Sequence, residues 1–423
     1  MSGNPAREQP RPIDAPRELG ANRRWPMDFY IFAELVLVLE IAFMRCSSRP
    51  LRAKEIRAGG RFAGAVAIVF GIILAAAPPP AQAQIAPRPP PTPQPTPLPT
   101  PSPFDINSNL SLGGAVTNLG SNFLERLGTE ASYGFSRTLR NNPGGGGASE
   151  TIDSPRFRSW GEAYGIWART GAQGDFVGDR RQTWGGVGGL GALLAPGVNV
   201  GVSVDQSHTK IDVPLALQAA TLDLTQIGAN ASVDKGPWTW AIALVHGFGK
   251  VNSSRDTGAG FARADYNAHI DGALTELSYY WSLDQSRIVP KAAFEYVRAS
   301  TASFQELGGL DPVTASGATV ERSRVLLGAE IGHYWIFGQK VFDLSGYGKF
   351  VDNVSQNLSS VTVSLGTESI AVQGISESRY GADAGASASL NLTSTARLYL
   401  NYDGKFRAAL QSHQGTVGVE LKW

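Results

Sequence analysis

From Arg156 to Trp423 the side chains alternate in character residue by residue, and this pattern restricts the fold of the chain more than any other feature. Val417, Val419, Leu421 and Trp423 alternate with Thr416, Gly418, Glu420 and Lys422. Val198, Val200, Val202 and Val204 alternate with Asn199, Gly201, Ser203 and Asp205. A period of two places one set on each face of a strand. The pattern predicts twelve strands, at 156–169, 182–195, 198–209, 221–234, 237–250, 264–282, 288–302, 319–335, 340–353, 376–392, 395–405 and 413–423. The phase of the sixth slips near Leu274–Leu277. A soluble half-buried sheet would alternate too, but these segments are long. Aromatics gather near their ends: Trp160 and Trp167, Trp238 and Trp240, Tyr279 to Trp281, Tyr334 and Trp335. Transmembrane strands need about 9–11 tilted residues with aromatic girdles. In lipid only a closed sheet satisfies every backbone group. The expectation is an all-β fold, a 12-stranded antiparallel transmembrane β-barrel. Tight turns (196–197, 235–236, 338–339, 394–395) alternate with long loops (170–181, 210–220, 251–263, 303–318, 354–375).

Composition agrees. Glycine is abundant at 49 residues, charged residues are only 17 % and there is one cysteine, Cys46. That excludes a disulfide framework and a cysteine-rich metal site, and the net charge of +1 gives no basic stripe for nucleic acid.

The region before the strands divides into three. Residues 1–83 read as an extended N-terminus and signal peptide. Six basic residues lie in 45–61, the apolar run Phe62–Ala77 follows, and Ala81-Gln82-Ala83 supplies a cleavage site with Ala81 and Ala83 as its small residues. Translation starts at Met44, or 1–44 extends the signal. After cleavage the chain carries 26 basic and 29 acidic residues and no cysteine. Residues 84–104 form a proline-rich stalk, with ten prolines in 84–103, expected as an extended polyproline II spacer. Residues 105–155 form a helix and a flexible connection. Leu112, Val116, Leu119, Phe123, Leu127 and Phe135 recur at helical spacing, but five glycines interrupt them at about 1 kcal/mol each. Such a helix needs a surface or a tunnel to hold it. Asn141-Asn142-Pro143 and the following glycines stop it in a turn.

Ser159-Trp160-Gly161-Glu162-Ala163-Tyr164-Gly165-Ile166-Trp167, then Trp184-Gly185-Gly186-Val187-Gly188-Gly189-Leu190 and Val200-Gly201-Val202-Ser203, resemble the opening of an autotransporter (type V secretion) β-domain. The strand carrying Val417, Val419, Leu421 and Trp423 resembles the C-terminal signal of outer-membrane barrels. The resemblance covers 156–423. It implies a monomeric barrel with the N-terminal helix threaded through its lumen and the upstream segment carried to the cell surface. It also implies export to the outer membrane of a Gram-negative bacterium, with outer-membrane lipid, periplasmic chaperones and barrel-insertion machinery as partners. The chain departs from the family in one respect. Only 84–155 lie where a large passenger usually sits, so the passenger is minimal.

The charged alternates are expected to face the lumen: Glu162, Lys291, Glu295, Arg324, Glu330, Asp343, Lys349, Arg379, Asp383, Arg397, Asp403 and Glu420, with Arg137 and Arg140 as helix partners. Charge on the lipid side is costly. No cofactor, metal or catalytic residue is expected. Gly186-x-Gly188-x-x-Gly191 matches a dinucleotide pattern, but strands surround it and no helix follows. Its glycines are read as relieving crowding in a strand that faces the helix. The reading is a non-enzymatic translocator. The alternative is a porin-like or structural and adhesive barrel.

Overall fold

The computed structural model of the chain describes residues 100–141, 155–338 and 340–423, with side chains of the first stretch as far as Ser132. Ala81, Ala83, the proline tract to Pro99 and Asn142 lie outside them. Twelve antiparallel strands form the wall: β1 (Phe157–Thr170), β2 (Asp179–Ala195), β3 (Val198–Val213), β4 (Gln218–Lys235), β5 (Trp238–Asp256), β6 (Phe261–Tyr279), β8 (Ser286–Thr301), β11 (Ala318–Phe337), β12 (Lys340–Leu358), β15 (Tyr380–Asn391), β16 (Ala396–Arg407) and β17 (Leu410–Lys422). A short β7 (Trp281–Leu283) continues the edge beside β8. Each wall strand pairs with its neighbours, and β17 pairs with β1, so the sheet closes. The ladder runs to the last residue, where the Phe157 amide donates to the Trp423 carbonyl at 2.9 Å.

The strands are longer than their alternation suggested. Most of 210–220 and 251–263 is strand, leaving connections of four residues after Val213 and after Asp256. The stretches 303–318 and 354–375 are not open loops. They carry β9 (Phe304–Gln305), β10 (Thr314–Ala315), β13 (Ser360–Leu365) and β14 (Glu368–Gln373), a small second sheet at the long-connection end.

The cause is an exchange of face polarity part-way up the barrel. Near the short-turn end the outward residues are apolar, such as Val202, Val204, Ile242 and Leu244. Phe157 and Trp167 both face outward and mark the two edges of this band. Ten residues of tilted strand rise about 25 Å, the height of an apolar belt. Above it, β3 turns Gln206, Lys210 and Asp212 outward while Ile211 and Val213 are buried. In β6 every even residue from Ala262 to Ser278 points inward. The slip near Leu274–Leu277 is therefore absent. Polarity changes face there, and phase does not. Trp160 and Tyr334, expected at the girdles, are buried inside. Gly186 and Gly188 face outward, away from the helix, and only Gly191 points in, beside Arg158. Crowding by the helix does not explain the first two, because β2 directs its odd residues inward.

One helix fills the barrel. A 3-10 turn (Pro103–Ile106), capped by Ser102, leads into α1 (Asn107–Asn141). The Ser108 amide donates to Gln218 Oε1 at 2.7 Å, at the long-connection end of β4. Near the other end Asn230 Nδ2 donates to the Leu127 carbonyl at 2.9 Å and Ser232 Oγ to the Ala131 carbonyl at 2.8 Å. Leu112, Val116, Leu119, Phe123 and Leu127 are buried, but so are Leu110, Ala115 and Leu124 on other faces. The wall covers most of the helix, but along one stripe Gly114, Asn118, Asn122 and Glu125 are half-buried and Thr129 is exposed. Phe135 lies beyond the described side chains. The glycines that weaken α1 alone serve it here. A Cβ at Gly120 would overlap Ile270, and one at Gly128 would press on Leu274.

Candidate functional site: the filled lumen

The lumen has two layers, set by the two halves of α1. Toward the long connections the filling is apolar. Ile106, Leu110, Leu112, Val116, Leu119 and Phe123 pack with Ile211, Leu222, Leu224, Val251 and Ile270 of the wall, and with Phe304, Val361 and Val363 of the second sheet. Phe176 of the connection after β1 closes over the same core. Burying a side chain of this kind stabilises by about 1.5–3 kcal/mol. Tyr266 sits in this layer, stacked on Phe304 at 4.6 Å between centroids. Burial pushes its hydroxyl up to about 12, and it accepts from Asn109 Nδ2 at 3.2 Å.

Arg255, at the top of β5, ties the start of the helix to the second sheet. Its Nη1 lies 3.1 Å from Asp105 Oδ1 and its Nη2 2.6 Å from Glu306 Oε2. Burial opposes its charge, but these carboxylates raise the guanidinium above its ordinary value. Glu377, between β14 and β15, accepts from Arg322 Nη1 at 2.6 Å, and the same nitrogen donates to Asn118 of α1 at 3.0 Å. Burial opposes ionisation of Glu377, yet Arg322, Arg407 and Arg324 hold its carboxyl at about 2. A lowered carboxyl contributes stability that is complete above its ordinary value near 4.5 and is lost as pH falls toward about 2. Amide exchange around Asn118 is therefore expected to accelerate over that window. Glu377→Gln should remove the acid dependence, and identical pH profiles for variant and wild type would contradict this assignment.

Toward the short turns the filling is ionic. Glu125 of α1 meets Lys405 at 2.5 Å, Arg324 at 2.8 Å and Lys349 at 2.9 Å. Arg126 meets Glu162 at 2.6 Å and lies over the Tyr164 ring. Tyr164 donates to Asp205 at 2.8 Å, and Tyr399 to Glu162 at 2.9 Å. Glu130 meets Arg158 at 2.6 Å. Glu295 lies 2.7 Å from Arg324 and accepts from Ser121 at 2.7 Å. The other sequence-selected residues pair within the wall. Glu330 and Asp343 hold Arg287, and Lys291 reaches Glu330 at 3.4 Å. Asp383 meets Arg407 at 2.7 Å, Glu420 meets Arg397 at 2.6 Å, and Asp403 accepts from Tyr347 at 2.6 Å.

Arg379 is a correction. It lies in the connection before β15, two-thirds exposed, and pairs with the outward Asp352 at 3.2 Å. It has the inward parity of β15, but the strand begins only at Tyr380. The helix charges that partner the wall are Glu125, Arg126 and Glu130, whereas the side chains of Arg137 and Arg140 fall outside the described ones. Arg287 and Arg407 were missed because the expected strands stopped one or two residues short. Extending the period of two would have found both. At the C-terminus Val419, Leu421 and Trp423 face outward, Val417 is half-buried on the same face, and Trp423 stacks on Phe157 at 6.5 Å.

Among the described residues no group of acids, histidines or cysteines is placed to hold a metal. His208 and His246 pair with Asp223 at 2.7 Å and Asp271 at 2.8 Å on the outward face.

A closed wall of twelve strands, filled by a helix that precedes β1 in the chain, is an architecture that known proteins share. The family model of the autotransporter β-domain matches residues 159–403, more than half of the chain. The chain belongs to the autotransporter β-domain family. The translocator domain of the autotransporter NalP from Neisseria meningitidis superposes with a TM-score of 0.57 at 13 % identity, covering 74 % of this chain and 98 % of that one. The β-domain of the Bordetella autotransporter BrkA gives a TM-score of 0.48 at 14 % identity, covering 63 % of this chain and all of that one. No curated protein matches. Autotransporter β-domains are outer-membrane proteins of Gram-negative bacteria, and in barrels of that membrane the longer connections face outward and the short turns face the periplasm.

Proposed function

We propose that this autotransporter is a non-enzymatic translocator that carries its own short N-terminal segment across the outer membrane and then keeps its lumen filled with α1. One observation carries the reading. The helix begins at the outer end, where Asn107 Nδ2 donates to the Asp175 carbonyl at 3.3 Å, and runs to the periplasmic end, where Glu130 meets Arg158. The described chain therefore enters the barrel from its outer side, at Thr100–Asn107. The minimal passenger is the proline stalk that remains after signal cleavage. Export by that signal, chaperone delivery, membrane insertion by the cellular machinery and a monomeric barrel in outer-membrane lipid belong to the same proposal. Nucleic acid has no part in it. The apolar outer layer speaks against a porin-like barrel, since ions would have to cross a core packed around Leu112 and Val116.

The mature chain would lack cysteine, which makes a clean test. Thr100→Cys should react with a membrane-impermeant maleimide on intact cells. Reaction only after the outer membrane is permeabilised would place the segment in the periplasm and end the proposal.

A further inference from the structure

Above the apolar band, several outward charges on the wall are matched across strands. His208 pairs with Asp223, His246 with Asp271, Arg298 with Glu321 at 3.5 Å, and Arg379 with Asp352. Lys250 and Arg263 carry no such ion pair, and neither do three outward cations clustered at the corner formed by β1, β2 and β3. Arg169 and Arg180 stand directly opposite each other in the β1–β2 register, both exposed. Lys210, also exposed, lies diagonally across from Arg180, beside Gln182 in the β2–β3 register. None of the three side chains has an ion-pair or hydrogen-bond partner among the described residues, although Asp212 stands opposite Arg180 on β3. Like charges facing each other across a ladder destabilise it. Three exposed cations without ion pairs on adjacent strands, with the single carboxylate of Asp212 among them, leave a net positive patch that can take an anion.

Its height identifies the anion. Arg169 is two residues above Trp167, and Trp167 meets Trp184 edge to face at 5.1 Å, both rings outward. Paired aromatics of this kind mark the boundary between acyl chains and headgroups. Below them the outward face of β1 is uncharged down to Phe157. The cations therefore stand at headgroup level in the outer leaflet. We propose that Arg169, Arg180 and Lys210 bind the phosphate-bearing headgroup of an anionic lipid of the outer leaflet, with Trp167 and Trp184 against its glycerol or sugar base. Guanidinium groups suit phosphate because they present paired donors. A lipid held in the bilayer reaches exposed cations at high effective concentration, which a free phosphate does not.

The test uses the full chain in phosphatidylcholine vesicles containing a small fraction of lipid A, a diphosphorylated glycolipid, with retained lipid counted after purification in detergent. Wild type should retain lipid A, and the Arg169→Gln/Arg180→Gln/Lys210→Gln variant should retain at least tenfold less. Arg298→Gln, which removes a matched cation at a similar level, should retain as much as wild type. Millimolar inorganic phosphate should not displace the lipid. Equal retention by the triple variant, equal loss in Arg298→Gln, or displacement by inorganic phosphate would each overturn the proposal. The three side chains are exposed and outside the lumen, so this result is independent of whether the N-terminal segment is translocated.

Discussion

Gly120→Val is expected to unseat α1 from the outer half of the lumen while leaving the wall assembled. The new side chain would occupy the space now held by Ile270, whose Cδ1 overlaps even a Cβ at this position. Overpacking a tight core typically costs about 1–3 kcal/mol, because the fully buried Ile270 side chain has to shift to make room. Protease added from outside should then cut within 107–123, where the wild-type chain is protected. Display of a Thr100→Cys label should fall by about tenfold or more. Ile270→Ala in the same chain makes room and should restore both. A Gly120→Val protein as protected and as well displayed as wild type would show that the close approach is unimportant. Failure of Ile270→Ala to rescue would point to damage elsewhere.

Glu125→Ala is expected to produce the largest loss of stability in the lumen. Glu125 faces three cations, and removing it takes the direct partner of the buried Lys349 and Lys405, while Arg324 keeps Glu295. Taking one partner from a buried ionic cluster costs about 3–5 kcal/mol. Heating should unfold the variant barrel at clearly lower temperature, and amide exchange in the periplasmic half of α1 should accelerate by two orders of magnitude or more. Lys405→Met combined with Glu125→Ala should recover part of the loss by removing one of the unpaired charges. Unchanged melting and exchange in Glu125→Ala would mean that lumen water already neutralises the cluster.

Much of this was legible in the residues. The alternation of Val198 to Asp205 and of Thr416 to Trp423 is visible without a structure. A closed antiparallel wall follows because lipid tolerates no unpaired backbone. The helical spacing of Leu112, Val116, Leu119 and Phe123 is just as plain. What escaped was where the bilayer stops. In β6, Ala262, Tyr266 and Ile270 point into the lumen, as Glu276 does, and read in sequence this change of polarity looks like a change of phase. The same exchange hid the outer ends of β3 and β5 and the second sheet that covers the apolar layer. The glycines of α1 were read as defects, because the side chains that fill their space belong to a strand more than a hundred residues away.

The sequence alone determined that this chain makes a twelve-stranded closed wall with an apolar belt, and that a weak helix precedes it. Local periodicity and the backbone's need for partners are enough for that. Only the tertiary structure decided which charges meet. Glu125 and Lys405 are 280 residues apart, and Tyr399 and Glu162 are 237 apart. Their partnership depends on how the wall closes and how the helix is rotated within it, which no local pattern encodes. Only the structure, too, showed that the outer half of the lumen is packed as a soluble core is. Burial there depends on what the helix brings inside, and a period of two is the same whether the inward face meets water or leucine.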